Sequence, residues 1–163
     1  MGNFDIEKAQ PQDMPKIQEI YKYARQFMRE NGNPDQWKDN SPRESVLEKD
    51  IAQGNLYVVK YNNEIHGVFA FIIGEDETYR IIEQGEWLSN TEYGTIHRVA
   101  GDGRVKGIFE AVADYAAGRI SHLRIDTHED NKVMQHLILK NGFKRCGIIH
   151  VSDGTPRIAF ERI

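Results

Sequence analysis

The chain has 163 residues, 39% of them hydrophobic and 28% charged, a composition typical of one globular domain large enough for a hydrophobic core. Its formal net charge of −4 gives no overall basic surface, so nucleic acid is not an expected partner. The single cysteine excludes an internal disulfide, and no apolar run approaches the ~20 residues of a membrane span, so we expect one cytoplasmic domain over residues 1–163 without a membrane partner.

The N-terminal part of the chain predicts a strand followed by two helices. Phe4–Ala9 alternates apolar and polar residues, as a strand with one buried face does. Apolar residues then recur at intervals of three and four between Met14 and Met28, which indicates an amphipathic helix. Ser41–Glu44 has the pattern of a capping box with proline at the first helical position, and it predicts a shorter helix that ends near Gln53.

A β-hairpin is predicted in the middle of the chain. Leu56–Tyr61 and Glu64–Ile73 read as strands, and Asn62-Asn63 between them is typical of a tight hairpin turn. Tyr79–Glu83 is a further candidate strand, and Thr95–Ala100 is the next one. This part of the sheet is therefore expected to contain antiparallel neighbours.

The loop Gly101–Phe109, with the sequence GDGRVKGIF, lies between the strand Thr95–Ala100 and a helix-like run, Lys106–Ala117. It contains three glycines and two cations. The free N–H groups of a first helical turn attract anions, and glycine lets the backbone approach a ligand closely. The loop predicts a site for a phosphate-bearing ligand, although ordinary turns share the same pattern.

The C-terminal part predicts a strand, a helix and two closing strands. The strand ends at Asp126-Thr127, Asp130 is the expected helix cap, and Asn141-Gly142 is a typical helix C-terminus. Phe143–Val151 and Arg157–Phe160 predict the closing strands. The order of elements predicts an α/β fold of the α+β type, a mixed, mostly antiparallel central sheet of about six to seven strands with helices on both faces.

This order, with a glycine-rich loop after the fourth main strand, resembles the GCN5-related N-acetyltransferase (GNAT) family over roughly Ile6–Phe160. In that family the loop reads Arg/Gln-x-x-Gly-x-Gly/Ala and binds the pyrophosphate of acetyl-CoA through backbone N–H groups. Arg104–Phe109 matches the first four positions, and Phe109 stands where the family has a small residue. The family's last helix often opens with Asn and ends in Gly-Phe, which Asn131 and Gly142-Phe143 match.

The resemblance implies a GNAT-like acyl-CoA N-acyltransferase fold with acetyl-CoA as co-substrate. It also implies that backbone N–H groups of the fourth strand polarise the thioester carbonyl, while the loop and the start of the last helix bind the cofactor. The expected cofactor-binding residues are Val99, Ala100, Arg104, Val105, Lys106, Gly107, Ile108, Phe109 and Asn131.

One position departs from the family. Many members carry a Tyr, four residues before the Gly of Gly-Phe, that protonates the departing CoA sulfur, and here that residue is Ile138. A thiol pKa near ~8.5 makes the thiolate a fair leaving group without an acid. Cys146, Tyr115 and an ordered water stay open as substitutes.

Removal of a proton from an acceptor amine needs a base. His97, on the strand beside the loop, and Glu86 are the candidate catalytic residues, and Glu83 is a further carboxylate. Each of them also fits an ordinary structural or solvated role. No metal site is expected, because the other histidines lack the spacing of metal ligands. The residues expected to line the acceptor pocket, with core packing as the alternative for each, are Trp37, Trp87 and Tyr93.

The sequence therefore predicts an N-acetyltransferase that moves an acetyl group from acetyl-CoA to an amine of a small molecule or protein by direct attack in a ternary complex. Two alternatives stay open: an acyltransferase that uses a longer acyl-CoA, and a non-catalytic CoA-binding domain for sensing or partner contact. The acidic run Glu75–Glu77 favours a cationic acceptor. A homodimer is compatible with the sequence, although no sequence feature supports it.

Overall fold

The computed structural model describes residues 3–38 and 40–163, which form a seven-stranded sheet and four α-helices. The strands are β1 Phe4–Lys8, β2 Leu56–Tyr61, β3 Glu64–Ile73, β4 Gly94–Gly101, β5 Leu123–Thr127, β6 Lys144–His150 and β7 Pro156–Arg162. The helices are α1 Met14–Glu30, α2 Glu44–Ala52, α3 Ile108–Arg119 and α4 Lys132–Lys140. Two short 3-10 helices are Pro11–Asp13 and Glu77–Tyr79.

The strands lie in the order β1-β2-β3-β4-β5-β7-β6, and in the described sheet β4 with β5 is the parallel pair while the other neighbours are antiparallel. The parallel pairing joins Gly94 to Leu123 and Thr95 to Arg124. Beyond Thr95, β4 remains paired with β3 but not with β5. A gap therefore opens between the two central strands.

A β-bulge interrupts β4 beside this gap. The register shifts between Val68 and Ala70 of β3, whose partners on β4 are Ala100 and His97. One residue of β3 thus lies opposite two residues of β4. Arg98, the first of those two, has a φ of 51°, in the left-handed region that is uncommon for a residue with a Cβ.

Helices α1 and α2 hold this bulge in place. The buried Tyr21 hydroxyl of α1 donates a hydrogen bond of 2.6 Å to the Arg98 carbonyl oxygen. The Arg98 guanidinium donates to both carboxylate oxygens of the buried Asp50 of α2, each at 3.0 Å. Burial keeps the pKa of Tyr21 well above its usual range, so the hydroxyl remains a donor.

The helices cover both faces of the sheet, which confirms the predicted fold class. Helices α1 and α2 pack on one face, where the buried cluster contains Ile17, Ile20, Tyr21, Leu47, Leu56, Val58, Val68 and Ala70. Helices α3 and α4 pack on the other, where the cluster includes Val59, Phe69, Phe71, Ile96, Phe109, Val112, Ala116, Ile125, Ile138, Phe143 and Phe160.

The predicted hairpin is confirmed in both strands, Leu56–Tyr61 and Glu64–Ile73. Both residues of its turn, Asn62-Asn63, have positive φ angles, 52° and 65°, as a type I′ turn requires. Helix α3 starts later than the sequence indicated, at Ile108, because Gly107 adopts a left-handed φ of 87° at the N-cap.

The candidate strand Tyr79–Glu83 is wrong. Residues Glu77–Tyr79 form a 3-10 helix instead, and Glu83 makes an isolated antiparallel bridge with Ile148. The Asp76 carboxylate accepts a hydrogen bond from the Thr78 N–H at 2.9 Å, a local cap that favours a helical turn over an extended strand.

Two helix-cap predictions are also wrong. The capping box over Ser41–Glu44 does not form, since Arg43 is the N-cap of α2 in an extended conformation and makes no side-chain cap. Helix α4 is capped by Asn131 rather than Asp130, because the Asn131 side chain accepts the Met134 N–H at 3.0 Å.

We expect Tyr21→Phe to lower the free energy of unfolding by about 1–3 kcal/mol, because the Arg98 carbonyl then loses its donor. Urea denaturation measures this change. Tyr23→Phe, on the same helix, is the control: this side chain is 43% exposed, and we expect a change below about 0.5 kcal/mol. An equal loss in both variants would contradict the assigned role of the Tyr21 hydroxyl.

Candidate active site

Two cavities meet where β4 separates from β5. The first cavity has a volume of about 450 Å³ and lies between the loop after β4, α1 and α4. The second has a volume of about 330 Å³ and lies between β4, β5 and the start of β7. Met28, Val99, Asn131 and Met134 line both cavities, so a ligand in one can contact a ligand in the other.

The N-terminus of α3 forms one end of the first cavity. Gly107, Ile108, Phe109 and Glu110 line it. The Ala111 N–H makes the first helical hydrogen bond, 3.0 Å to the Gly107 oxygen, so the N–H groups before it have no partner within the helix. These groups and the helix dipole make this end of the cavity a suitable anion site.

The loop before α3 is shaped by Asp102. Its backbone N–H donates to the His66 oxygen at 3.0 Å, and its carboxylate contacts His66 Nδ1 at 2.9 Å. The other carboxylate oxygen accepts the Arg104 N–H at 3.0 Å. This buried anchor was not foreseen from the sequence, because His66 lies on β3.

The structure brings eight of the nine expected cofactor-binding residues to the first cavity. These are Val99, Ala100, Val105, Lys106, Gly107, Ile108, Phe109 and Asn131. Arg104 is exposed and is not among the described lining residues.

Phe109, the bulky residue of the loop motif, points into the core. It is 4% exposed, and its ring lies 6.5 Å from the Phe143 ring, centroid to centroid. The ring volume is therefore absorbed by packing between α3 and the strand after α4. The side chain of Asn131 is also engaged, since it caps α4 and donates to Gln36 Oε1 at 3.0 Å.

The first cavity carries more positive than negative charge. Lys106, Lys132 and Lys140 line it, together with Glu110. Lysine ammonium groups bind phosphates as point charges, whereas the Glu110 carboxylate near the helix N-terminus opposes an anion there. The balance favours an anionic ligand.

His97 and Asp76 form an ion pair in the second cavity. His97 Nε2 lies 3.1 Å from Asp76 Oδ2, and the side chains are 20% and 21% exposed. Burial raises the pKa of the Asp76 carboxyl, but hydrogen bonds from His97 and Thr78 outweigh it and lower the pKa to about 2. Asp76 is thus ionised at neutral pH and can orient the imidazole.

A second carboxylate, Asp126 at the end of β5, lines the same cavity. The Tyr79 hydroxyl donates to Asp126 Oδ2 at 2.6 Å. Burial raises the pKa of Asp126 above its ordinary value, while the Tyr79 hydrogen bond and the nearby charges of His97 and Arg157 act in the opposite direction. Together these groups do not outweigh the effect of burial.

Gln36 connects the segment after α1 to this site. Its side-chain oxygen accepts hydrogen bonds from Asn33 at 2.9 Å, Asn131 at 3.0 Å and Thr127 at 3.4 Å. Trp37, the next residue, lines the second cavity as the sequence led us to expect, and it packs edge-on against Tyr21 at 5.5 Å.

Trp87 and Tyr93 line neither cavity in the described part of the chain. They enclose the Arg124 guanidinium, which lies 3.9 Å from the Trp87 ring and 4.0 Å from the Tyr93 ring. These contacts fit the packing alternative. The Tyr93 hydroxyl also accepts the Asp76 N–H at 2.7 Å, so Tyr93 supports the site indirectly.

Glu86 is exposed and also lies outside the described linings of both cavities, so its catalytic role stays a prediction. Ile138 is fully buried in the core. Of the proposed substitutes for the missing Tyr, the side chains of Cys146 and Tyr115 are outside the described linings of both cavities. Burial raises the pKa of Cys146 to about 11, and Tyr115 packs against Tyr57 at 5.3 Å.

In residues 3–38 and 40–163 we find no group of three or more His, Cys, Asp or Glu side chains that could hold a metal ion. No helix in the same part of the chain combines the length and apolar character that crossing a membrane requires.

Comparison with known proteins gave matches among solved structures. No protein-family model and no curated protein matches the chain. A GNAT-family acetyltransferase from Streptococcus agalactiae 2603 is 29% identical, with a TM-score of 0.90 over 100% of this chain and 97% of that one. A GNAT-family acetyltransferase from Bacillus cereus ATCC 10987 is 21% identical, with a TM-score of 0.65 over 98% of this chain and 96% of that one.

A more distant match is the N-acetylglutamate synthase from Neisseria gonorrhoeae, whose structure contains coenzyme A and N-acetyl-glutamate. It is 15% identical, with a TM-score of 0.58, and the match covers 99% of this chain and 35% of that chain. At this identity, and at that of the Bacillus protein, the likeness shows the fold alone.

The divided sheet, the bulged central strand and the two joined cavities define the acyl-CoA N-acyltransferase fold, which the structural matches share. The 29% identity to the Streptococcus protein over the whole chain supports assignment to the GCN5-related N-acetyltransferase family. This assignment supports acyltransferase activity.

Sequence reasoning missed three residues of the second cavity: Gln36, Asp126 and Arg157. Asp126 had a weak signal, since it ends a buried strand next to the glycine-rich one. The acidic run Glu75–Glu77 was noticed, and its member Asp76 reaches the cavity. Gln36 had no local signal for a role in the cavity, because its partners Thr127, Asn131 and Arg157 come from distant parts of the chain.

Asp76 makes stability depend on pH. Its pKa falls from 3.8 to about 2 on folding, so the ionised carboxylate stabilises the folded state by roughly 2 kcal/mol above pH 3.8 and loses this effect as the pH falls through 2. We expect Asp76→Asn to be less stable than the wild type at pH 6, and the difference to shrink towards pH 2, in urea denaturation. Asp114→Asn, at an exposed position of α3, is the control. A difference that is constant with pH would contradict this assignment.

Proposed function

We propose that the chain, as a single catalytic domain, transfers an acetyl group from acetyl-CoA to an amine of a small molecule or protein by direct attack in a ternary complex. One observation carries the proposal: an anion-binding cavity and a cavity with a His–Asp pair meet at Val99, where β4 has left β5. Two reactants held at one junction lose little further entropy on reaching the transition state.

In the first cavity, the pyrophosphate of CoA binds the N–H groups at the start of α3. Lys106, Lys132 and Lys140 supply positive charge around it. The acetyl thioester then reaches the bulged part of β4, where the backbone N–H groups of Val99 and Ala100 polarise its carbonyl. The open edge of β4 supports this step, because β5 is not paired with these residues.

In the second cavity, His97 acts as the general base. Its Nε2–H donates to the ionised Asp76, which leaves Nδ1 free to accept a proton from the amine. The amine nitrogen attacks the carbonyl carbon, the C–S bond breaks, and the amine proton passes to Nδ1. CoA departs as the thiolate, whose conjugate acid has a pKa near ~8.5, so Ile138 in place of a tyrosine is tolerable.

A non-catalytic CoA-binding domain is the second candidate. It is favoured by the burial of Ile138 and by the positions of Cys146 and Tyr115 outside the described cavity linings. An acyltransferase that binds a longer acyl-CoA in the first cavity is the third candidate.

Thermal unfolding with acetyl-CoA and with CoA, followed by an assay against a panel of amines and peptides, tests the proposal. We expect both cofactors to raise the melting temperature, since a ligand of the folded state stabilises it. We also expect CoA release that depends on an amine. No shift with either cofactor would refute CoA binding, and a shift without turnover would favour the non-catalytic domain.

Gly107→Asp should abolish the acetyl-CoA-induced shift, because it places a carboxylate at the proposed pyrophosphate site. Gly154→Asp is a matched control, since Gly154 has nearly the same left-handed φ, 86° against 87°, in the turn between β6 and β7. The Gly154→Asp variant introduces similar backbone strain at a position outside the loop Gly101–Phe109. Loss of the shift in both variants, or in neither, would contradict the placement of CoA.

His97→Gln should lower kcat/KM by roughly 10²–10⁴-fold and remove the rise of rate with pH that a general base produces. His150→Gln is the control, because the His150 side chain, at the end of β6, is 45% exposed, contacts Glu83 and lies outside both described linings. An unchanged pH profile in His97→Gln would exclude His97 as the base.

A further inference from the structure

Arg157, near the start of β7, is a buried cation that lines the second cavity. It is 8% exposed. Its Nη1 donates to Thr155 Oγ1 at 3.0 Å and to the Pro156 oxygen at 2.9 Å, and its Nη2 makes a long contact of 3.5 Å with the Gln36 oxygen. Among the described residues no carboxylate lies within ion-pair distance of its guanidinium, although the charges of Asp126 and Asp153 interact with it at longer range.

Other arginines around the site differ in this respect. Arg98 donates to both oxygens of Asp50, and Arg124 Nε donates to the fully buried Glu161 at 2.8 Å. A buried guanidinium without a carboxylate is costly, because desolvation is not offset by a paired charge. Among the described residues, Arg157 thus lines the cavity without a hydrogen-bonded carboxylate partner.

The second cavity also carries negative groups suited to an ammonium. Asp126 lines it with one hydrogen bond, from Tyr79, and the His97–Asp76 pair lies close enough for His97 to act on the Asp126 charge. Asp153 lines it too, but its Oδ1 accepts both the N–H and the hydroxyl of Thr155, at 2.9 and 2.6 Å. The cavity thus offers a guanidinium without a hydrogen-bonded carboxylate partner among the described residues, together with a carboxylate that accepts one hydrogen bond, from Tyr79.

We infer that the amine acceptor carries a carboxylate, as an amino acid does, and that Arg157 binds this carboxylate while Asp126 attracts the ammonium. The ammonium loses its first proton to bulk water, and His97 accepts the second proton when the neutral amine attacks. The inference rests on the proposed acetyl transfer and adds the acceptor class to it. A planar guanidinium matches a carboxylate through two parallel hydrogen bonds, which an amide or a simple amine does not offer. A cavity of about 330 Å³ suits a small zwitterion.

The test compares matched acceptors with acetyl-CoA: the twenty amino acids, their amides and their decarboxylated amines. For the amino acid that reacts best, we expect kcat/KM to exceed that of its amide and its amine by roughly 10–100-fold, the effect of a hydrogen bond to a charged group. Equal or faster reaction of amides and amines would overturn the inference on the wild-type protein alone.

Substitutions of Arg157 test whether this side chain causes the preference for the amino acid over its amide. Arg157→Gln should lower kcat/KM for the acid by roughly 10–100-fold and change that for the amide by less than about threefold, so that the preference disappears. Arg157→Lys keeps the positive charge but not the planar pair of N–H donors. It should therefore retain part of the preference for the acid over the amide. Arg145→Gln, at an exposed position of β6 outside both described linings, should leave it intact.

An equal loss for acid and amide in Arg157→Gln would show that Arg157 only supports Gln36 and Thr155, and it would overturn the inference. Absence of transfer to every acid would overturn it as well. If amides or amines are acetylated although no acid is, the proposed acetyltransferase activity is still supported. Absence of all transfer together with no acetyl-CoA-induced thermal shift removes the proposed function too.

Discussion

The bulge at Arg98 is the constraint on which the arrangement of the site depends. Its left-handed φ would be unfavourable in an isolated strand, and two buried groups, the Tyr21 hydroxyl and the Asp50 carboxylate, hold it. Because these groups come from α1 and α2, packing of the helices on one face fixes the course of the central strand. The strand then leaves β5 after Thr95, and the two cavities meet in the space between them.

A buried polar cluster supports the second cavity from behind. Glu161 is fully buried and is neutralised by Arg124 and by a hydrogen bond with His122, so a charge is tolerated in the core. Arg124 in turn lies against the ring of Tyr93, whose hydroxyl accepts the Asp76 N–H. The cluster thus fixes the loop that carries Asp76, the partner of the proposed base, and Trp87 and Tyr93 pack on its Arg124 guanidinium.

Much of the fold could be predicted from the sequence, whereas only part of the candidate site could. The loop around Gly107 was recognisable because a strand, a glycine-rich turn and a helix start form a local pattern. The sequence did not indicate Asp126 and Arg157 as site residues, because their roles depend on side chains from parts of the chain that are distant in sequence. Gln36 contacts Asn131 across 95 positions and Arg157 across 121, and no local spacing encodes such contacts. The false strand Tyr79–Glu83 failed for a similar reason, since a side-chain cap outweighed strand propensity.

By itself the sequence determined the periodicities that form strands and helices, the hairpin turn, and the loop that presents N–H groups at the start of α3, because these depend on residues within one or two turns of each other. Only the tertiary structure decided that Phe109 points into the core, that His97 meets Asp76, and that Arg157 has no hydrogen-bonded carboxylate partner among the described residues. Charges acquire their energies from burial and from neighbours distant in sequence, and those are set only when the sheet and both helix layers have assembled.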